Sequence, residues 1–400
     1  MKQPKIRFQG FEGEWEDVFF KDITYLAGTK NKDNLPLQSY SISNENGFVP
    51  QNEQFEKGGT MVNADKRMYY IVTPDSFAYN PARINVGSIG YDDLEKDVIV
   101  SSLYVVFKTD IKTNNKFLDT WFRTPYFKKL VNLYQEGGVR LYFFYDKLCQ
   151  CNFFRPILNE QQAIADYFKS LDSLIQTTTK KIASLKQMKS ACLVSMFPQE
   201  GETKPRVRFK GFEGDWKKVK VSHLLEERRE MDKKSSDYPL MAFIAYIGVA
   251  DKGERYDRSS LVNDVEKKFY KKTEYGDFIY SSNNLETGSI GLNRFGNATI
   301  SPVYSIFKCT NNANSYFIGT AFIRKEFINK MIKWRQGVMY GQWRIHETDF
   351  LCIEVFVPTI EEQKAIGQFF TALDAQISLH SQRLEKLKQI KSACLDKMFV

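Results

Sequence analysis

NEQQAIADYFKSLDSLIQTTTKKIASLKQMKSACLVSMF (159–197) and EEQKAIGQFFTALDAQISLHSQRLEKLKQIKSACLDKMF (361–399) are one segment written twice, 202 residues apart. In the first copy small or apolar side chains recur at alternating steps of four and three: Ile164, Phe168, Leu171, Ile175, Thr178, Ile182, Leu185, Lys189, Cys192 and Met196. The second copy gives Ile366, Phe370, Leu373, Ile377, His380, Leu384, Leu387, Lys391, Cys394 and Met398. A heptad stripe sustained this long predicts a coiled-coil helix rather than an ordinary surface helix. Its polar breaks match, Thr178 with His380 and Lys189 with Lys391, and such breaks can set register. Pro156 and Pro358 precede the two segments. Glu160 and Glu361/Glu362 then fall in the first turn, where negative charge offsets the free N–H groups and the helix dipole. About 35 residues at a rise of ~1.5 Å make each helix a rod roughly 52 Å long. Each stripe needs a partner, and the nearest is the other. Antiparallel pairing gives a pseudo-two-fold axis through the middle of the pair.

Working outward, a second duplication opens each half. PKIRFQGFEGEWE (4–16) returns as PRVRFKGFEGDWK (205–217). Between the matched ends the echo weakens to Gly87-Ser88-Ile89-Gly90 against Gly288-Ser289-Ile290-Gly291, and VSSLYVVFK (100–108) against ISPVYSIFK (300–308). The stretch from about Asp22 to Phe77 has no convincing sequence counterpart after His223. Matching ends around unlike middles suggest one scaffold carrying two recognition surfaces. The interiors lack helical periodicity, are dense in aromatic and β-branched residues, and are broken often by Gly, Asn and Pro. They read as mixed α/β (α+β) units with irregular sheets, with short helices near Thr124–Tyr134 and Phe322–Trp334. The expected organisation is a globular domain over 1–156, a helix over 157–198, a second globular domain over 199–358 and a second helix over 359–400.

Composition narrows the class. The chain has 400 residues, 42% hydrophobic, with 57 Lys plus Arg against 48 Asp plus Glu for a net charge of +9. That is enough apolar surface for sizeable cores and a balance that favours a polyanionic partner. No run of 18 apolar residues occurs, and the N-terminus has no apolar signal region, so a cytoplasmic protein without membrane contact is expected. Six scattered cysteines and three histidines give little material for disulfides, metal sites or catalytic triads. No GxxxxGK[ST] or GxGxxG loop is present. Asn80-Pro81-Ala82-Arg83 lacks the second proline and the aromatic of a methyltransferase motif. Pro74-Asp75 with Asp110-Ile111-Lys112 fits a nuclease pattern only loosely, and the second copy lacks it. No catalytic residue, metal site or cofactor is expected in this chain.

Basic and polar residues interleaved with aromatics at loop positions suit a DNA-facing surface, where Lys and Arg meet phosphates and Arg, Asn and Gln read base edges. The candidates are Tyr79, Asn80, Arg83, Arg123 and Arg140 in the first half, and Tyr280, Asn283, Asn284, Arg294, Gln342, Trp343 and Arg344 in the second. The candidate coiled-coil interface is Ile164, Phe168, Leu171, Ile175, Ile182 and Leu185 with Ile366, Phe370, Leu373, Ile377, Leu384 and Leu387.

These features together resemble the specificity subunit of type I restriction–modification enzymes. The resemblance rests on RFQGFEGEW/RFKGFEGDW, on GSIG before a β-rich run, on the EQ-x-x-I helix starts after Pro156 and Pro358, and on the repeated LKxxKSACLxxMF. It implies two target-recognition domains separated by two spacer helices, each domain reading one half of a split site in double-stranded DNA. It also implies a non-catalytic chain that directs adenine methylation or restriction. The partners implied are two modification methyltransferase subunits using S-adenosylmethionine and restriction/translocase subunits using ATP and Mg2+. The competing reading is a two-headed DNA-binding protein that works without enzyme partners.

Overall fold

The computed structural model describes residues 3–44, 46–54, 65–251, 268–338 and 342–400. The chain divides into two compact units, one of residues up to Thr179 with Gln382–Val400, the other Lys180–Ser381. Each long helix is therefore shared, its first part in one unit and its last part in the other.

In the first unit, β1 (Glu16–Phe19), α1 (Phe20–Ile23), β2 (Thr24–Leu26), β3 (Thr29–Lys30), β4 (Ser39–Ser43), β5 (Gly47–Pro50) and the short α2 (Gln51–Gln54) come first. Next are β6 (Tyr70–Val72), β7 (Phe77–Tyr79), β8 (Ile89–Tyr91), β9 (Val98–Val100), β10 (Val105–Thr109), α3 (Asn115–Trp121), α4 (Pro125–Tyr134), α5 (Tyr145–Gln150) and β11 (Asn152–Arg155). One sheet has the order β2-β10-β7-β8, a second β3-β6-β9-β4-β5, and β1 pairs with β11. Among the described residues of this unit only β4 and β9 pair in parallel. Short strands rich in Val, Ile, Phe and Tyr bury one or both faces, as sheets covered on both sides require. Asn114 and Thr124 cap α3 and α4 through side-chain oxygens, which places both helix starts where the sequence put turn residues.

The second unit repeats the plan. Its elements are β12 (Lys217–Lys220), β13 (Leu225–Glu227), β14 (Met231–Asp232), β15 (Ala242–Ile244), β16 (Gly248–Ala250), β17 (Tyr270–Thr273), β18 (Phe278–Tyr280), β19 (Ile290–Leu292), β20 (Ala298–Ile300), β21 (Ser305–Cys309), α7 (Ser315–Ala321) and α8 (Lys325–Ile332), then β22 (Gln336–Val338), β23 (Gln342–Arg344), α9 (Glu347–Cys352) and β24 (Glu354–Val357). The sheet β13-β21-β18-β19 copies β2-β10-β7-β8, and β12 pairs with β24. The strands β14-β17-β20 and the hairpin β15-β16 stand for the five-stranded sheet, joined by a parallel bridge between Leu240 and Thr299. The segment after His223 thus does have a counterpart in Asp22–Phe77. It is one of topology, which sequence comparison does not register once the side chains have diverged.

The closing helices are α6 (Leu158–Ser195) and α10 (Ile360–Lys397), each of 38 residues. Every position of the heptad stripe is buried or half-buried, and most intervening residues are exposed. In the first unit Tyr167 Oη lies 3.5 Å from Cys394 Sγ, Phe168 meets Phe399 with ring centroids 5.9 Å apart, and Asp172 pairs with Lys391. Numbers rise along α6 as they fall along α10, so the packing is antiparallel. In the second unit Phe197 packs on Phe370 and Lys189 pairs with Asp374. The stripe lysines are answered by aspartates on the opposing helix. Thr178 satisfies its hydroxyl within its own helix, donating to Leu174 O at 2.7 Å.

The repeated motifs join the helix starts to the globular cores. Arg7 grips Glu160 with Nε–Oε1 at 2.7 Å and Nη2–Oε2 at 2.8 Å, while Nη1 donates to Gly13 O. Arg208, Glu362 and Gly214 do the same in the second unit. Gly13 and Gly214 have φ of +81° and +78°, a left-handed conformation that costs glycine little and lets the loop turn its carbonyl to the arginine. The tryptophans that end the motif, Trp15 and Trp216, are buried against Phe117 and Phe317. The glutamine of each EQ pair receives the amide of Asn114 or Asn314 and donates back to two carbonyls.

Candidate nucleic-acid interface

Strand β7 leads into a tight turn. Asn80 Oδ1 accepts the amide of Ala82 at 3.0 Å, and Gly87 closes the following 3-10 turn at φ +93°. A two-stranded loop docks on this turn: Glu136 and Tyr142 exchange backbone hydrogen bonds at 2.9 and 2.8 Å, and Phe143 N donates to Pro81 O at 3.0 Å. Between turn and loop is a cleft of about 760 Å³, lined by Asn80, Arg83, Leu103, Arg140, Tyr142 and Phe144 among others. Arg83 and Arg140 are exposed on its rim, and the rings of Tyr142 and Phe144 stack with an interplanar angle of 2°.

The second unit builds the same arrangement from different side chains. The turn after β18 runs Ser281 to Gly288, and the hairpin β22–β23 docks on it. Trp343 N donates to Asn283 Oδ1 at 2.6 Å, and Ile345 N to Ser282 Oγ at 3.0 Å. Arg335 clamps Glu286 of the turn with two bonds, at 3.0 and 2.7 Å. That leaves Gln342, Trp343 and Arg344 exposed along β23, with Arg344 3.7 Å from Glu347. Asn284 is exposed on the same turn.

Structure divides the sequence candidates. Asn80, Arg83 and Arg140 come together at one cleft, and Asn283, Asn284, Gln342, Trp343 and Arg344 at the matching place. Tyr79 and Tyr280 do not belong with them. Both are fully buried in β7 and β18, facing the aromatic core, and burial pushes their phenols far above the ordinary range. Alternation along a strand decides this: the residue before the turn points inward, whatever its polarity. Arg123 and Arg294 also lie elsewhere. Arg123 pairs with Asp119 one turn back on α3 and lines a separate cleft beside α6 with Asp172 and Lys391. Arg294 borders the equivalent cleft near Asp374, at 4.0 Å. Sequence reasoning missed Leu103 and Val303, both 71% exposed at matching turns before β10 and β21. The aligned runs VSSLYVVFK and ISPVYSIFK carried that signal, since both place an apolar residue at the turn. An exposed aliphatic group at such a rim suits the methyl of thymine.

Residues 213–389 match the family of the type I restriction modification DNA specificity domain. That stretch of the second half carries the likeness to the type I restriction modification DNA specificity domain. The match lies in the second half, and the duplicated fold extends the same plan to the first. Among solved structures, this chain is similar over its whole length to the type I restriction–modification S subunit from M. genitalium. That likeness has a TM-score of 0.61 at 12% identity and covers 100% of this chain and 99% of the other. The HsdS subunit from Thermoanaerobacter tengcongensis aligns over 96% of each chain at 14% identity and a TM-score of 0.47. No curated protein matches. Among the described residues no helix is long and apolar enough to cross a membrane.

Proposed function

We propose that this chain is the specificity subunit of a type I restriction–modification complex and reads a bipartite site in double-stranded DNA, one half-site per unit. It then directs adenine methylation or restriction performed by partner subunits. One observation carries the reading: the same turn with a docked two-stranded loop is built twice on one backbone plan, yet Arg83, Arg140 and Leu141 in the first stand against Asn284, Gln342 and Trp343 in the second. Equal scaffolds with unequal side chains suit two different base sequences, because bases are distinguished by side-chain donors, acceptors and apolar groups in the groove. The partners would be two modification methyltransferase subunits, which bind S-adenosylmethionine, and restriction/translocase subunits, which use ATP and Mg2+. No catalytic or cofactor role falls to this chain in that scheme.

The test is co-expression with the modification subunit, followed by purification on a tagged specificity subunit and methylation mapping on random DNA. A methyltransferase that co-purifies and methylates a split motif supports the reading. Sequence-specific DNA binding without a co-purifying methyltransferase would support the stand-alone two-headed binder instead. Exchanging the first cleft's residues for those of another specificity subunit should change one half-site and leave the other intact.

A further inference from the structure

Two units on one plan allow a comparison of how their cores are filled. In the first, Trp121 is 1% exposed and packs on Phe20, Phe127 and Phe153 with ring centroids 5.5, 5.3 and 5.0 Å away. In the second, Val221, Ala321 and Val355 occupy the positions of Phe20, Trp121 and Phe153. The strand registers fix this equivalence: Val18 faces Phe153 across β1–β11, and Val219 faces Val355 across β12–β24. Asn114 and Asn314, which cap α3 and α7, fix it for Trp121 and Ala321. An indole and two phenyl rings are thus reduced to three small aliphatic groups. The space is not closed by collapse. A cavity of about 550 Å³ stands there, walled by Phe197, Trp216, Ala321, Phe322, Phe327 and Val355.

Glu200, Arg324, Glu326, Lys330 and Lys333 line this cavity, and of these Arg324 is the most deeply buried. Arg324 stands where the first unit has Thr124, whose hydroxyl caps α4 by accepting from Phe127 N. Arginine cannot cap, and Arg324 instead lies along the cavity wall, its side chain 11% exposed and its guanidinium carbon 4.5 Å above the ring of Phe197. Glu326 lies 3.4 Å from Nη2 but is itself half in solvent, and Nη2 is buried without a hydrogen-bond partner. Burial lowers the pKa of Arg324 from its ordinary value, but an arginine stays charged. Trp216 Nε1, lining the same cavity, is a second buried donor with no acceptor. The charge of Arg324 is thus met only by the half-exposed Glu326, and Nη2 has no hydrogen-bond acceptor; the unpartnered indole N–H is shared with Trp15 of the first unit, so the arginine is what distinguishes this cavity. Lys330 and Lys333 add positive charge to the lining.

We propose that this cavity of the second unit binds a small organic anion with a flat apolar body. Its ring takes the space that Trp121 fills in the first unit, and its carboxylate accepts from Arg324. The volume lies within the ~300–1,000 Å³ typical of small-molecule sites. A neutral ring of the same shape would fill the space yet leave Arg324 Nη2 without a hydrogen-bond acceptor. The anion is therefore preferred.

Indole-3-carboxylate, with indole as its neutral twin, tests this by isothermal titration calorimetry on the full chain. One equivalent of indole-3-carboxylate should bind saturably and roughly tenfold or more tighter than indole, the scale of one charge-assisted hydrogen bond. Arg324→Gln should erase that preference while leaving indole within about twofold. Ala321→Trp, which rebuilds the first unit's filling, should abolish binding of both. Circular dichroism reports whether that variant folds; if it does not, Ala321→Leu should still weaken both ligands about tenfold or more. The proposal is overturned if neither compound saturates by about 5 mM. It is equally overturned if a folded filling variant binds unchanged, or if Arg324→Gln keeps the preference for the carboxylate.

Discussion

Arg208 and Glu362, 154 residues apart in sequence, form a two-pronged ion pair at 2.6 and 2.7 Å, and Arg7 with Glu160 repeats it in the first unit. Both carboxylates are 1% exposed and both guanidinium groups mostly covered. The bond to glutamate raises the pKa of each arginine. The pair fastens the opening loop of each half to the start of its long helix. Arg208→Ala would leave Glu362 buried and unpaired, a change that costs about 3–5 kcal/mol. Chemical denaturation should show that loss for Arg208→Ala, and part of it for Arg208→Lys, which keeps the charge but not the fork. A loss below about 1 kcal/mol would mean the carboxylate finds water or another partner.

The ion pairs across the long helices behave differently. Lys189 with Asp374 and Lys391 with Asp172 are partly exposed. Lys189→Ala should therefore cost less than about 1 kcal/mol, and the loss should shrink as salt is raised. Comparing its denaturation midpoint with that of Arg208→Ala in the same buffer separates a pair that anchors from one that tunes register.

A buried carboxyl gives a pH signature. Asp92 is fully buried, accepts the amide of Leu94 at 3.1 Å through Oδ1, and has no partner for Oδ2. Burial pushes it up to about 6, with the carboxylates of Asp93, Asp75 and Asp97 adding to the rise and the Leu94 amide opposing it. The folded state thus holds a proton that the unfolded chain releases near 3.8. The stability this adds is complete below that pH and is lost as pH rises through about 6. In the second unit the same place holds Asn293, whose Nδ2 donates to Gly296 O at 2.7 Å. Asp92→Asn should remove the slope and raise stability at neutral pH by about 1–2 kcal/mol. Urea melts between about pH 4 and pH 7 check it: a constant difference from the parent chain across that range would refute the assignment.

DNA binding should separate rim from core. Arg83→Ala and Arg140→Ala should each weaken binding, and a phosphate-contacting arginine should also lower the slope of log K against log salt by about one. A base-reading arginine should instead relax specificity at one position and cost about 1–3 kcal/mol. Tyr79→Phe should leave affinity unchanged, since it only removes a buried hydroxyl that has no partner. Fluorescence anisotropy over a salt series distinguishes the three. Lost affinity in a folded Tyr79→Phe would return that tyrosine to the interface.

How much of this was legible before the fold was known depends on the range of the interaction. The sequence by itself determined the duplication, the two long helices and their buried stripe, because a heptad period is local and every turn of the helix repeats the same requirement. It also determined that turns after β7 and β18 carry polar residues. Only the tertiary structure decided which of those residues share a cleft. Tyr79 and Asn80 are neighbours in the chain, yet the pleat sends the first into the core and leaves the second to build the turn. Arg7 and Glu160 each looked like ordinary charged residues of a loop and a helix start, and nothing local to either announces the pair. The common topology of Asp22–Phe77 and the segment after His223 was hidden as well. Strand pairing is made by backbone groups that every residue carries, so it survives when the side chains that sequence comparison reads have changed.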